Sequence, residues 1–274
     1  MKSGNMNIGV FDSGFGGLTV LRALLERLPG ANYIYLGDTA RLPYGAKSQA
    51  TVARYAVSSA HFLVEQQADY LVIACNTASA LALDAIRDAV PVPVIGVIET
   101  GANAAQAATE TGDVLVMATA ATVDSHAYSA ACHERGLRAI EKACPLLVPL
   151  VEEGWVDHPV TEEVLRIYLS ELLEESAQAA LRPDTLVLGC THYPLLRTNI
   201  ERALPTSIRV IDSAEATAAQ VAAALCLPNS SDNPDGNPHT RRFYATDSVT
   251  KFRILGTRFL GQAIAHVELI DLGG

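Results

Sequence analysis

DYLVIACNT at 69–77 and DTLVLGCTH at 184–192 are two copies of one pattern, set 115 residues apart. Each runs from an aspartate through a short apolar stretch to a cysteine followed by two polar residues. An apolar run of this length without alternation reads as a strand covered on both faces, as in a parallel sheet. Further matches flank it: Val94-Ile95 repeats as Val210-Ile211 at a spacing of 116, and NIGV at 7–10 resembles DVLV at 113–116 at a spacing of 106. Three ordered matches at nearly constant spacing indicate a chain built from two duplicated halves.

Strands are expected at 8–11, 33–36, 70–74, 94–97, 114–117, 186–189 and 210–211. Between them, Ala/Leu-rich helical patterns occupy 18–27, 48–66, 78–89, 161–175 and 214–225. Apolar strands separated by helices define βαβ units, so the fold class is α/β with mainly parallel sheets flanked by helices. PNSSDNPDGNPH at 228–239 has turn composition and no periodicity. Beyond it, strands at 242–246 and 267–272 enclose a helix at 249–264, a tail expected to return to the first half.

The 274 residues are 49% apolar and only 18% charged, enough to build a sizeable core. A net charge of −10, from 20 Lys+Arg against 30 Asp+Glu, argues against nucleic acid or an anionic membrane as a partner. Five cysteines, an odd number without the dense spacing of a secreted scaffold, point to a reducing compartment. The first residues lack a signal-peptide apolar stretch, and no apolar run approaches the ~20 residues of a membrane span. These features lead to the expectation of a cytoplasmic globular protein.

Cys75 and Cys190 each close a strand and precede a polar pair, Asn76-Thr77 and Thr191-His192. Ligands of open α/β sheets bind beyond the carboxyl ends of strands, so both thiols fall where a ligand sits. If the halves face each other, the two sulfurs meet across one cleft. Cys132, Cys144 and Cys226 lie elsewhere in the pattern and read as packing residues. Upstream, DSGFGGL at 12–18 leads from a strand through a glycine-rich turn into a helix. Glycines there allow positive φ and close approach, and the helix N-terminus offers N–H groups to an anion. The dinucleotide pattern G-x-G-x-x-G fails at Thr19, and no G-x-x-x-x-G-K-[ST] loop exists. Asp38, at the end of the next strand, keeps a nucleotide-binding alternative open as a ribose-binding acid. Asp12 would repel a pyrophosphate, so a carboxylate-bearing ligand suits the turn better; a plain role at the helix start is the alternative for Asp12. Cys190-Thr191-His192 supplies two metal-ligand types, but without C-x-x-C, H-E-x-x-H or a second cluster no metal site is expected.

Taken together, DSGFGGL (12–18), GDTARLPYG (37–45), ACNTASA (74–80) and GCTHYPLL (189–196) closely resemble the glutamate racemases of the Asp/Glu racemase family. CPLLVPLVEEG (144–154) and IDSAEA (211–216) extend the resemblance, which runs from about Asn7 to the C-terminus. It implies two pseudo-symmetric α/β domains, 1–99 plus 213–274 and 100–212, with the active site in the cleft between them. The implied activity is cofactor-independent racemisation of glutamate, supplying D-glutamate for bacterial peptidoglycan. The resemblance puts the two acid/base cysteines at Cys75 and Cys190, assisted by Asp12, Glu152 and His192. Substrate contacts fall at Ser13, Pro43, Tyr44, Gly45, Asn76, Thr77, Thr119, Thr122 and Thr191. Members differ in forming homodimers and in activation by a cell-wall precursor, so either partner is compatible with this chain. A racemase of another acidic amino acid such as aspartate, or a non-catalytic small-anion binder, are the alternatives. One departure stands out: the family usually carries Gly before the first threonine of the second-half turn, whereas this chain has Ala118, which raises the question of how Thr119 is held.

The implied chemistry suits these residues. Racemisation removes the Cα proton and returns one on the opposite face, which one base cannot easily reach, so two opposed groups are needed. A free thiol has a pKa of about 8.5, so its thiolate needs an adjacent partner, and His192 beside Cys190 can serve. Asp12 near Cys75 fits either as a proton acceptor or as a contact for the substrate ammonium.

Overall fold

The wholly apolar runs that mark the duplication form the centres of two parallel sheets in the computed structural model, which describes residues 6–225 and 239–273. The first half begins β1 (Asn7–Asp12), α1 (Leu18–Arg27), β2 (Asn32–Gly37), α2 (Gln49–Glu65), β3 (Tyr70–Ile73), α3 (Asn76–Ala89) and β4 (Val94–Gly96). α4 (Val97–Ala108) then leads into β5 (Asp113–Ala118), α5 (Ala120–Asp124), α6 (Ala127–His133) and β6 (Arg138–Ala143). α7 (Leu147–Glu152), α8 (Pro159–Gln178), β7 (Thr185–Gly189), α9 (Arg197–Ala203) and β8 (Arg209–Asp212) complete the second half. The tail consists of α10 (Ser213–Leu225), β9 (Arg241–Ala245), α11 (Val249–Leu260) and β10 (Glu268–Leu269).

The sheets have strand orders β10-β9-β2-β1-β3-β4 and β6-β5-β7-β8, and every pairing is parallel. Removing the two tail strands leaves the same order in both, with β1, β2, β3 and β4 matched by β5, β6, β7 and β8. The duplication read from three strands therefore extends to a fourth, since β2 and β6 begin at Asn32 and Arg138, again 106 apart. Tail strand β9 pairs with β2, so the tail does return to the first half.

β1, β3, β5 and β7 are buried almost throughout because helices cover both faces. One continuous apolar cluster includes Ile8, Val10 and Val72 of the first sheet and Leu115, Met117 and Leu186 of the second. α10 packs against α1 and α4, joining the halves. Cys132 and Cys144 are fully buried in apolar clusters, as expected of packing residues. Cys226 and the loop expected at 228–239 lie outside the described residues apart from His239. The largest boundary differences lie in the tail, where the helix expected to reach 264 ends at Leu260 and the strand expected at 267–272 is only Glu268–Leu269; elsewhere Val97, expected in a strand, starts α4. Across the described residues no helix is long and apolar enough to cross a membrane.

Candidate active site

The carboxyl ends of β1, β3, β5 and β7 carry the polar residues singled out in the sequence to one cleft between the sheets. Asp12 is the last residue of β1, and Thr119 follows β5 directly as the N-cap of α5. Cys75 lies two residues past β3 as the N-cap of α3, and Cys190 follows β7. A cavity of about 430 Å³ occupies the cleft, and both Cys75 and Cys190 line it. Around them stand Ser13, Asn76, Thr77, Thr119, Thr191 and His192, with Pro43, Tyr44 and Gly45 on one wall and Glu152 on another. Of the residues singled out, Asp12 and Thr122 stand behind the wall; neither lines the cavity.

The two sulfurs have different surroundings. Cys75 Sγ donates to Ser13 Oγ at 3.4 Å and accepts from the Ala78 amide at 3.4 Å. Burial, reinforced by the negative charge of Asp12, pushes the Cys75 thiol up to about 12. Asp12 is itself buried, and burial raises its carboxyl against the opposing pull of His192 and of the Gly14 and Gly17 amides. Its Oδ2 accepts from the Gly14 amide at 2.8 Å, while Oδ1 has no partner. Two amides of the glycine-rich turn, those of Gly14 and Gly17, thus face the chain's own carboxylate, while Ser13 and Gly14 line the cavity. The turn's glycines serve close approach, and none adopts positive φ. A Cβ on Gly17 would lie 2.5 Å from Asp12 Cβ, and one on Gly16 would lie 2.2 Å from Thr191 Oγ1.

On the other side, Cys190 Sγ lies 3.9 Å from His192 Nδ1, and His192 Nε2 lies 3.3 Å from Glu152 Oε1. Burial alone would lower the His192 imidazolium, but hydrogen bonds to Cys190 and Glu152 outweigh it and hold it up at about 10. Burial likewise works to raise Glu152, and its bonds to His192 and Lys251 overcome this to keep the carboxyl low. Lys251 Nζ donates to Glu152 Oε2 at 3.1 Å.

Thr77, Thr119 and Thr122 form a hydroxyl triangle with Oγ1 separations of 2.9, 2.9 and 3.4 Å, which links Thr122 to two residues of the cavity wall without its reaching the cavity. Thr119 has ordinary extended backbone at φ −73°, ψ 159°, so Ala118 imposes no unusual angle on it. Asn76 accepts from the Tyr128 hydroxyl at 2.7 Å through Oδ1, leaving a buried Nδ2 donor with no partner. A buried orphan donor in the wall of a cavity is a group that a ligand's carboxylate can satisfy. Tyr44 turns its hydroxyl away to Asp38. Asp38 also accepts from Arg41 Nε at 2.8 Å and from Thr246 Oγ1 at 2.9 Å, and it is fully buried. That network leaves it no face for a ribose, and the nucleotide-binding alternative fails there.

Sequence reasoning passed over Leu42, the apolar face of α7 with its flank (Pro145, Val148 and Pro149), and Lys251. Pro145, Val148, Pro149 and Glu152 recur at helical spacing in the 144–154 motif, so a signal for the α7 face existed. No comparable signal marked Lys251, which lies 99 residues from Glu152. Among the described residues no group of three or more His, Cys, Asp or Glu side chains is placed to hold a metal ion.

Two duplicated α/β halves each place a cysteine in the wall of one small cavity, and the chain belongs to the Asp/Glu/Hydantoin racemase family, whose model matches residues 8–221. Within that family it groups with the glutamate racemases. It is 51% identical to the glutamate racemase of Koribacter versatilis, over 97% of this chain and 98% of that protein. To that of Syntrophus aciditrophicus it is 47% identical, over 97% and 96% of the two chains. The crystal structure of Francisella tularensis glutamate racemase in complex with D-glutamate superposes with a TM-score of 0.87 at 36% identity, covering 98% of each chain. The fold class expected from sequence is therefore the observed one, and the chain is an enzyme of the isomerase class.

Proposed function

We propose that this chain interconverts L- and D-glutamate by two-base proton transfer, with Cys75 and Cys190 on opposite faces of Cα. The observation that carries the reading is the presence of both thiols, at equivalent strand ends of duplicated halves, in the wall of one cavity. The titration behaviour of the surrounding groups suits an alternating cycle. Cys75, pushed up to about 12, rests as a thiol and is the proton donor when Cys190 thiolate takes the Cα proton. In that direction the C–H bond breaks as an S–H bond forms at Cys190, and the carbanion takes the Cys75 proton on its other face. The reverse direction needs Cys75 deprotonated, and Asp12, whose carboxyl is raised and whose Oδ1 is free, is a suitable acceptor. Its position behind the cavity wall favours this role over contact with the substrate ammonium. His192, kept protonated by Glu152, pairs with Cys190.

The carbanion builds charge on the α-carboxylate, which Asn76 Nδ2 and the Ser13, Thr77, Thr119 and Thr191 hydroxyls are placed to receive. Residues 1–99 with 213–274 form the first of the two domains and 100–212 the second, and the product supplies D-glutamate for peptidoglycan in the cytoplasm. The test is incorporation of solvent deuterium at Cα of each glutamate enantiomer without added cofactor, with aspartate run in parallel. Cys75→Ser and Cys190→Ser should each lose at least about 10²-fold in turnover, the low end for a positioned acid or base. Absence of exchange in wild-type enzyme, or wild-type turnover in either variant, refutes the assignment.

A further inference from the structure

A lysine half-exposed on a surface helix ordinarily contributes little, because solvent screens it and its side chain is mobile. Lys251 differs in where it reaches. It sits on α11, in the tail that joins the first sheet, yet its ammonium bonds Glu152 at the end of α7 in the second half. The Glu152 carboxylate is divided between two partners, with Oε1 facing His192 Nε2 and Oε2 held by Lys251 Nζ. Lys251 Nζ also lies 5.6 Å from the centre of the Phe15 ring, in the glycine-rich turn beside Asp12. Phe15 packs on Phe252, the residue after Lys251, and Phe259 of the same helix meets the His192 ring edge-on at 5.1 Å. One helix of the tail thus touches both ends of the Glu152–His192 pair.

We propose that Lys251 is a positioning residue for the Cys190 half of the site, fixing one Glu152 oxygen so that the other orients the His192 ring toward Cys190 Sγ. Resting on the racemisation reading above, this makes the Cys190 half complete only when α11 of the first half is docked on α7 of the second. Lys251 is absent from the cavity wall, so its effect passes through Glu152 and never through substrate contact. The charged groups around Glu152 are His192 from the segment after β7, Lys251 and Arg258 from α11, its neighbour Glu153, and Asp12 at the end of β1. Lys251 is one of two groups whose bonds lower Glu152, so its removal raises that carboxyl.

Lys251→Met and Lys251→Arg test the proposal, with glutamate racemisation followed from pH 4 upward (about the ordinary carboxylate range). Lys251→Met should lose several-fold in kcat with KM unchanged, and the acid limb of kcat/KM should move up by about half a pH unit, the size expected for a half-exposed pair. Lys251→Arg should restore both. High salt should shift the wild-type limb toward that of Lys251→Met and leave the variant unmoved, since screening removes the same interaction. A Lys251→Met limb superposing on wild type, or no rescue by arginine, overturns the proposal. Carboxyl ¹³C titration of Glu152 in the ligand-free protein reads the same link without turnover. A raised Glu152 in Lys251→Met together with no α-proton exchange in wild type would sustain the link and sink the racemase reading. Normal exchange with an unmoved Glu152 would do the reverse.

Discussion

Replacing Gly16 with alanine adds one methyl group at the tightest backbone approach to the Cys190 side of the site. Its Cβ would lie 2.2 Å from Thr191 Oγ1, 2.6 Å from His192 Nδ1 and 2.8 Å from His192 Cε1. The hydroxyl can rotate away, but the imidazole is held at Nε2 by Glu152 and at its edge by Phe259, so it can yield only by leaving those contacts. To restore an ordinary separation the ring must retreat by about 0.8 Å, the scale at which a displaced catalytic group loses roughly 40-fold, since 1 Å costs about 10²-fold. Overpacking should also cost about 1–3 kcal/mol of stability. The assay is kcat and KM for both glutamate enantiomers, with thermal unfolding and an NMR titration of His192. Because the enantiomers have equal free energy, kcat/KM must fall equally in both directions. An enzyme with alanine at 16, wild-type kcat/KM and an unmoved His192 titration would refute the argument that this glycine exists to seat the imidazole.

Stability should depend on pH through His192. Its folded value of about 10 lies above its ordinary 6.5, so the folded state holds a proton that the unfolded chain releases between those values. The contribution is therefore complete below pH 6.5 and lost as pH rises toward 10, so melting temperature should fall between pH 6.5 and 9, below the range where Cys75 joins in, and His192→Asn should flatten that fall. Asp38→Ala should destabilise the fold by about 3 kcal/mol or more, because it leaves the Arg41 guanidinium and the Tyr44 hydroxyl buried without their acceptor. It should also raise KM, since Tyr44 and its neighbours form the wall; a melting temperature within 2 °C of wild type (about the smallest shift expected for 1 kcal/mol) would contradict this.

The sheets were legible because buried parallel strands are apolar throughout, and DYLVIACNT and DTLVLGCTH carry that signature without interruption. β6 was not, because RAIEKA lies at a sheet edge with none of its residues buried, and its composition resembles a surface strand or helix equally. The cysteines and their polar neighbours were readable because strand ends are where such folds bind ligands. Lys251 was not, because its meeting with Glu152 depends on how the tail docks, a long-range contact that leaves no local periodicity. The glycine-rich turn reads as an anion cradle in sequence, whereas in the structure Gly14 and Gly17 direct their amides to Asp12, and Gly16 and Gly17 leave no room for a side chain. Pattern alone does not separate a glycine needed for a ligand's approach from one needed for a neighbouring side chain, and here the neighbours are Asp12, Thr191 and His192.

The duplication also sets a limit on what symmetry supplies. The repeat places Cys75 and Cys190 at equivalent strand ends, but the segments beyond those ends differ. Cys75 caps a helix of 14 residues, whereas Cys190 leads into a four-residue 3-10 turn that carries His192 beside it. The charged partners differ accordingly. Asp12 places a buried carboxyl with a raised affinity for protons behind one sulfur, and the Glu152–His192 pair keeps an imidazolium beside the other. A reaction with an equilibrium constant of one needs neither direction favoured overall, yet each half-reaction begins from a different protonation state. Two unlike half-sites meet that need, since one rests with its proton on sulfur and the other keeps a proton on the neighbouring ring. Exchanging the partners, as in Asp12→His with His192→Asp, should therefore leave both thiols in place and still abolish turnover, because each carboxyl and imidazole is held by contacts that only its own position provides. Racemisation retained in that double variant at more than about one-tenth of wild type would show that sulfur placement alone suffices, since loss of one positioned acid or base costs at least about 10²-fold.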